Sequence, residues 1–225
     1  MKAMILAAGR GTRMGALSEQ RPKPLLDLGR ESLLERQVRR LAAAGIRDLV
    51  INVSYNAAQI QAAIGDGSRW DARIRYSVES DPPLETGGGI IKALPLLGPA
   101  PFLVVNADVL TDFPFASLKL DAGRGVLVLV PNPAHHAAGD YGIDAQSRIV
   151  DRPPKLTFAG VSILDGALFA GFAVGKHALK PILDAAVARG DLYGERYDGV
   201  WIDVGTPERL ALAREKARAL DVDAL

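Results

Sequence analysis

The sequence predicts an α/β fold in which a mostly parallel, Rossmann-like sheet is flanked by helices and carries a small β-rich insertion. Short apolar runs alternate with amphipathic stretches along most of the 225 residues, which is typical of strands joined by crossover helices. Proline and glycine break this alternation into short segments at about residues 132–165, which we expect to form the insertion. No linker or internal repeat divides the chain, so residues 1–225 are expected to form one domain.

The predicted elements follow in order from the N-terminus. A continuous apolar run at residues 2–8, bounded by glycines, predicts a buried first strand. Residues 31–44 then place Leu34, Val38 and Leu41 on one helical face, and Gly45 ends that helix. By the same criteria we expect strands at 48–53, 74–77, 102–105 and 126–130, and helices at 57–64 and 89–97. After the insertion come a helix at 178–188, a strand at 200–204 and a closing helix at 207–220 that starts with proline.

Composition excludes several functional classes. The chain has 27 Lys and Arg against 26 Asp and Glu, a formal charge of +1, which excludes the strongly basic balance of a general nucleic-acid binder. It has no cysteine, which excludes disulfides, thiolate zinc sites, iron–sulfur clusters and thiol catalysis. The N-terminal apolar run is too short for a membrane span, and glycines and arginines interrupt it as a signal peptide. We therefore expect a cytoplasmic protein with no nucleic-acid or membrane partner.

A glycine-rich loop follows the first predicted strand. Residues 6–14, LAAGRGTRM, contain Gly9 and Gly11, and glycines allow backbone N–H groups to approach phosphate oxygens closely. The loop is not a Walker A motif, because no Lys-Ser/Thr follows its last glycine, and Met14 stands where a dinucleotide-binding motif has its third glycine. Taken alone, the segment fits either a phosphate-binding loop or a tight turn with solvated arginines.

Three charged residues stand at positions suited to phosphate chemistry. Lys23 lies between two prolines, which are expected to hold it in an extended segment outside any helix. Asp108 follows the apolar run at 102–105, and Asp203 lies in the run at 200–204. Open α/β sheets place their chemistry at such strand ends, although an aspartate there can also cap a turn.

Together these segments resemble the signature of the sugar-1-phosphate nucleotidyltransferases, LAAGxGTRMxPLT followed by PKPL. The chain has LAAGRGTRMGALSEQRPKPL and departs from the pattern at Gly15, Ala16 and Ser18. The resemblance implies the nucleotide-diphospho-sugar transferase fold, with Arg13 and Lys23 as catalytic residues. It also implies nucleotide contacts from Leu6, Ala7, Ala8, Gly9, Gly11, Thr12, Arg13, Lys23 and Asn106. The segments VNAD and WIDVGT resemble those that supply the metal carboxylates of this family, which implies that Asp108 and Asp203 hold Mg²⁺.

The segment PLETGGG at residues 83–89 points to one subfamily of these nucleotidyltransferases. It is similar to the form found in N-acetylmuramate-1-phosphate uridylyltransferases and implies that Glu85 and Gly88 contact the base. The implied partners are UTP and N-acetylmuramic acid 1-phosphate, which would give UDP-N-acetylmuramic acid and pyrophosphate in peptidoglycan recycling. A glycine hinge without ligand contact is the other interpretation of this segment.

The insertion supplies candidate sugar contacts. Residues 140–142, DYG, resemble a sugar-binding Y-G segment, and residues 151–153, DRP, stand where many members of the family have E-K-P. The resemblance implies sugar-phosphate contacts from Tyr141, Gly142, Asp151, Arg152 and Gly160. A solvated turn is an equally good interpretation of residues 151–152. The adjacent histidines at 135 and 136 have no nearby third metal ligand in the sequence and are expected to lie in a surface loop.

Other functions remain open at this point. A mannose-1-phosphate guanylyltransferase or a glucose-1-phosphate uridylyl- or thymidylyltransferase would share the same motifs. A protein of another class, an inactive sugar-nucleotide sensor on the same fold, is disfavoured because Arg13, Lys23, Asp108 and Asp203 are all present. The sequence does not distinguish a monomer from a homodimer.

Overall fold

The computed structural model of the chain describes residues 1–222. The helices are α1 (Ala16–Gln20), α2 (Leu33–Ala43), α3 (Ala57–Ile64), α4 (Glu85–Leu97), α5 (Leu179–Ala188) and α6 (Pro207–Val222). The strands are β1 (Lys2–Leu6), β2 (Asp48–Val53), β3 (Arg73–Val78), β4 (Phe102–Asn106), β5 (Val109–Thr111), β6 (Gly125–Val130), β7 (Gly142–Ile143), β8 (Ile149–Val150), β9 (Thr157–Leu164), β10 (Leu192–Arg196) and β11 (Trp201–Asp203). Every predicted strand and helix is present, whereas α1, β5 and β10 were not predicted.

A seven-stranded sheet in the order β10-β6-β9-β4-β1-β2-β3 forms the centre of the molecule. Strand β1 runs parallel to β2 and β4, β2 runs parallel to β3, and β10 runs parallel to β6. Only β9 is antiparallel to its neighbours in this sheet. The predicted fold class, a mostly parallel sheet flanked by helices, is therefore confirmed.

Both faces of the sheet are covered at its centre, which explains why β1, β2, β4 and β6 are apolar runs without polar alternation. On one face Ile5 and Ile51 pack with the apolar residues of α2 and α3. On the other face Met4 and Val50 pack with those of α4 and α5. Helix α6 packs separately, with Met14 and Val204, beside a two-stranded sheet of β5 and β11. Within residues 1–222, none of the helices is long and apolar enough to cross a membrane.

The C-terminal part of the region that we expected to form a β-rich insertion belongs to the central sheet. The first part of this region contains the two short strands β7 and β8, which pair with each other. The last strand, β9, instead lies in the central sheet between β4 and β6. Almost all of its eight residues are buried, so pairing on both edges satisfies backbone groups that would otherwise be costly to bury.

Helices α2 and α4 begin at residues other than those predicted. Helix α2 begins at Leu33, because Ser32 forms a capping box in which its hydroxyl accepts from the N–H of Glu35 at 3.3 Å and its own N–H donates to the Glu35 carboxylate at 2.7 Å. Helix α4 begins at Glu85, four residues earlier than predicted, and thus includes all three consecutive glycines. This early start brings the beginning of α4 to the edge of the candidate site.

Candidate active site

Two cavities lie at the carboxyl ends of the parallel strands. The first has a volume of about 350 Å³ and the second about 460 Å³. The strand register places Leu6 opposite Asn52 on one side and opposite Asn106 on the other. The two cavities share Leu6, Asn106, Glu85 and Thr86, so they are contiguous. They can therefore accept two parts of one ligand, or two ligands that react with each other.

Most of the predicted nucleotide contacts line the first cavity. These residues are Leu6, Ala7, Ala8, Gly9, Gly11, Thr12, Arg13, Lys23, Glu85 and Asn106. The candidate metal ligand Asp108 lines the same cavity. Gly11 has a φ of 66°, and a Cβ added there would lie 2.8 Å from the Cβ of Lys23. Glycine is therefore required at this position both by the left-handed backbone and by the close approach of the loop to Lys23.

Lys23 is buried, with 8% of its surface exposed, and its ammonium forms an ion pair with the Oδ2 atom of Asp108. The prediction that it lies in an extended segment is wrong. Lys23 begins a single 3-10 turn, Lys23–Leu25, in which the N–H of Leu25 donates to the carbonyl of Pro22 at 2.8 Å. Pro24 is compatible with this turn because the early positions of a helical turn do not use their N–H groups.

The two candidate metal carboxylates come close together because Asp108 directly precedes β5 and Asp203 ends β11, which pairs with β5. The carbonyl of Asp108 accepts from the N–H of Val204 at 2.8 Å, which holds the residue after Asp203 next to Asp108. Asp203 does not line the cavity itself, although Gly205 does. Its carboxylate is paired instead with Arg209, at 3.0 Å. Both aspartates thus have side-chain cations as partners.

The donor chemistry fits Mg²⁺, which prefers oxygen ligands and usually keeps several waters. Within the described residues no group of three or more acidic, histidine or cysteine side chains is placed to hold a metal ion. That Asp108 and Asp203 are the metal ligands stays a prediction.

His135 is exposed, as expected for a surface loop, but its side chain also has a partner at the site. Its Nε2 atom lies 3.0 Å from Oδ1 of Asp203, and the next residue, His136, has its Nε2 atom 3.2 Å from Oδ1 of Asp140. Asp140 lines the second cavity. The contact between His135 and Asp203 joins distant parts of the chain, so no local pattern in the sequence could have indicated it.

Sequence reasoning missed a buried polar pair on the floor of the first cavity. Asn52 accepts from the N–H of Ala7 at 2.8 Å and donates to Oε1 of Glu79 at 2.6 Å. The other oxygen of Glu79 accepts from the N–H of Leu84 at 2.8 Å. The pair thus connects the glycine-rich loop with the start of α4. The available signal was a polar residue near the end of the apolar strand β2 and a glutamate directly after β3.

The three consecutive glycines serve packing. A Cβ on Gly88 would lie 2.0 Å from the carbonyl oxygen of Gly175, and one on Gly89 would lie 2.6 Å from Oε1 of Glu79. The N–H of Gly88 donates to the carbonyl of His177 at 3.0 Å. Gly88 does not line either cavity, and its contact with the base stays a prediction. The glycines are needed because protein atoms approach the helix closely.

Glu85, the other residue of this segment with a predicted contact to the base, lines both cavities. It begins α4 with a φ of 61°, in the left-handed region that non-glycine residues rarely adopt. Its carboxylate lies 3.3 Å from the ammonium of Lys176. Such backbone strain is concentrated at functional sites, which agrees with the position of Glu85 between the cavities.

The second cavity contains two of the five predicted sugar contacts, Tyr141 and Gly160. Tyr141 donates from its hydroxyl to Asp184 at 2.7 Å, and burial, followed by this hydrogen bond, raises the pKa of Tyr141 well above its ordinary value. Gly160 has a φ of 70° and packs on the side chain of Asn106. Tyr141 therefore remains a neutral donor, and Gly160 lets β9 approach the residue shared by both cavities.

The other three predicted sugar contacts do not line either cavity. Gly142 packs against backbone, since a Cβ there would lie 2.5 Å from the carbonyl oxygen of Arg152. Asp151 is exposed and paired with Lys155, whose hydrogen bond and charge lower the pKa of the Asp151 carboxyl. Asp151 and Arg152 are both exposed, and their contacts with the sugar phosphate stay predictions; Asp140 and Lys180 line the second cavity.

Comparison with known proteins gives a consistent result. The family model described as nucleotidyl transferase matches residues 2–146. The N-acetylmuramate alpha-1-phosphate uridylyltransferase of Neisseria meningitidis is 43% identical, over 97% of this chain and 99% of its own length. A mannose-1-phosphate guanyltransferase of Aspergillus fumigatus is 32% identical over 92% of this chain, which spans 62% of that relative.

The fold is also found among solved structures. A protein from Bacillus anthracis, described as a glucose-1-phosphate thymidylyltransferase, superimposes with a TM-score of 0.84 over 97% of this chain and 95% of its own. Its sequence identity is 20%, so this likeness concerns the fold alone.

Proposed function

Because this chain belongs to the nucleotidyl transferase family and is a sugar-1-phosphate nucleotidyltransferase, we propose that it joins N-acetylmuramate α-1-phosphate to UTP and releases pyrophosphate. The observation that carries the proposal is the likeness to the Neisseria uridylyltransferase, which extends over almost the full length of both chains. The product would be UDP-N-acetylmuramic acid, and the reaction would serve peptidoglycan recycling in the cytoplasm.

In the proposed reaction an oxygen of the sugar phosphate attacks the α-phosphorus of UTP in line. A new phosphorus–oxygen bond forms, the bond from that phosphorus to the bridging oxygen breaks, and pyrophosphate leaves. A sugar phosphate is already ionised near neutral pH, so no general base is required. The protein acts by positioning the reactants and by neutralising charge.

The first cavity would hold UTP and the second would hold the sugar. The loop containing Gly9, Gly11 and Arg13 would bind the triphosphate, and Lys23 would direct its charge at the reacting phosphoryl group. Asp108 and Asp203 would hold Mg²⁺, which when bound neutralises triphosphate charge. Glu85 and Asn106 lie where the two substrates would meet, since both residues line both cavities.

A screen that combines four nucleoside triphosphates with a panel of sugar 1-phosphates tests this proposal, with pyrophosphate release as the measurement. We expect the highest kcat/KM with UTP and N-acetylmuramate 1-phosphate, and no turnover in EDTA. A preference for GTP and mannose 1-phosphate would favour the activity named for the Aspergillus relative. Binding of a sugar nucleotide without turnover of any pair would indicate a sensor.

A further inference from the structure

Among the described residues that line the second cavity, one carries a permanent positive charge. Lys180 is the only Lys or Arg among the described residues that line this cavity. It lies at the second position of α5, and 58% of its side chain is exposed. Two carboxylates, those of Glu85 and Asp140, line the same cavity. An anionic group bound there therefore needs a cation, and Lys180 can supply it.

The ammonium of Lys180 is held in place by its neighbours. Its Nζ atom lies 2.7 and 3.0 Å from the two oxygens of Asp184, one helical turn along α5. It also lies 4.9 Å from the ring centroid of Tyr141, whose hydroxyl donates to the same carboxylate. An ammonium group has three donors. The contacts with Asp184 use two of them, so one donor is available to a ligand.

The rest of the cavity wall is largely apolar. Val104, Phe158, Leu179 and Leu183 line it together with Leu6. A ligand that fits this wall carries apolar groups beside its polar ones, and a single anionic group directed at Lys180. N-acetylmuramic acid has this chemistry, because it is N-acetylglucosamine with a lactic acid joined through an ether, which adds one methyl group and one carboxylate.

We propose that Lys180 determines sugar specificity by binding the lactyl carboxylate of the substrate, an inference that rests on the proposed function of this site. Asp184 positions the ammonium, and the apolar wall receives the acetyl and lactyl methyl groups. A charge-assisted hydrogen bond of this kind discriminates against a sugar that lacks the carboxylate, because Lys180 then gains no anionic partner.

The experiment compares two ligands and three variants. The ligands are N-acetylmuramate 1-phosphate and its lactyl methyl ester, which has the same ring, acetyl and phosphate groups but no carboxylate charge. The variants are Lys180→Gln, Lys180→Arg, which keeps the charge, and Lys119→Gln, which removes an exposed lysine outside both cavities. Dissociation constants of the full-length protein are measured by calorimetry, and kcat/KM is measured with the free acid and UTP.

We expect wild type to bind the acid about tenfold more tightly than the ester, a difference that corresponds to ~1.4 kcal/mol. Lys180→Gln should lose this preference and Lys180→Arg should retain most of it, while Lys119→Gln should behave as wild type. Equal binding of acid and ester by wild type would overturn the proposal. An equal loss of both ligands in Lys180→Gln would also overturn it, since the lysine would then contact the phosphate or support the fold.

Failure of the proposed function has a different signature. If wild type does not turn over N-acetylmuramate 1-phosphate with any triphosphate, the proposed reaction is wrong, independently of the results for the Lys180 variants. If wild type turns it over and Lys180→Gln keeps the full kcat/KM, the reaction stands and the role of Lys180 is refuted.

Discussion

Replacing Asn52 by alanine should both destabilise the protein and weaken nucleotide binding. Asn52 is 3% exposed, and the change would leave two buried groups without their partner: the N–H of Ala7 and one oxygen of the Glu79 carboxylate. A buried polar group left unsatisfied costs about 1–3 kcal/mol, and more when it is charged. We therefore expect the free energy of unfolding to fall by about 3–5 kcal/mol.

The same bridge holds the N–H of Leu84 through Glu79, so its loss should also loosen the start of α4 beside the first cavity. Urea denaturation measures the stability change, and the KM for the nucleotide, measured in the folded fraction, should rise. Gln59→Ala, an exposed change on α3, is the control and should stay within about 0.5 kcal/mol of wild type. A loss below 1 kcal/mol for Asn52→Ala, with KM unchanged, would refute the bridge as a structural and positioning element.

Three further predictions concern the first cavity and its surroundings. Lys23→Met should lower the single-turnover rate at saturating substrates by about 10²-fold or more with a smaller effect on nucleotide affinity, because its charge matters most during transfer. Asp108→Asn and Asp203→Asn should each lose most pyrophosphate release and require more Mg²⁺ for what remains. Gly88→Val should lower the thermal midpoint by several degrees, because its side chain would collide with the backbone of Gly175.

Each of these predictions has an outcome that contradicts it. A single-turnover rate near wild type in Lys23→Met would show that the part-buried ion pair with Asp108 is structural. Unchanged turnover and Mg²⁺ dependence in a folded aspartate variant would remove that residue from the metal site. A Gly88→Val protein with wild-type stability and a raised nucleotide KM would restore the contact with the base that the structure does not show.

The sequence by itself determined the α/β class, the order of strands and helices, and most of the first cavity. These features are local: apolar runs buried on both faces, Gly11 in a left-handed turn, and Asp108 two residues after the end of β4. A parallel sheet gathers the carboxyl ends of its strands at one edge. The motif after β1 and the polar residues after β4 therefore had to come close together.

Only the tertiary structure decided which distant residues meet. The antiparallel insertion of β9 between β4 and β6 sets the position of Gly160 against Asn106, and no periodicity in the sequence specifies that pairing. The contact between His135 and Asp203 joins residues 68 positions apart, counted from 135 to 203. The glycines of α4 have a similar explanation, since the atoms that exclude a Cβ belong to other parts of the chain. Such contacts depend on how packed elements are oriented, which local sequence patterns do not encode.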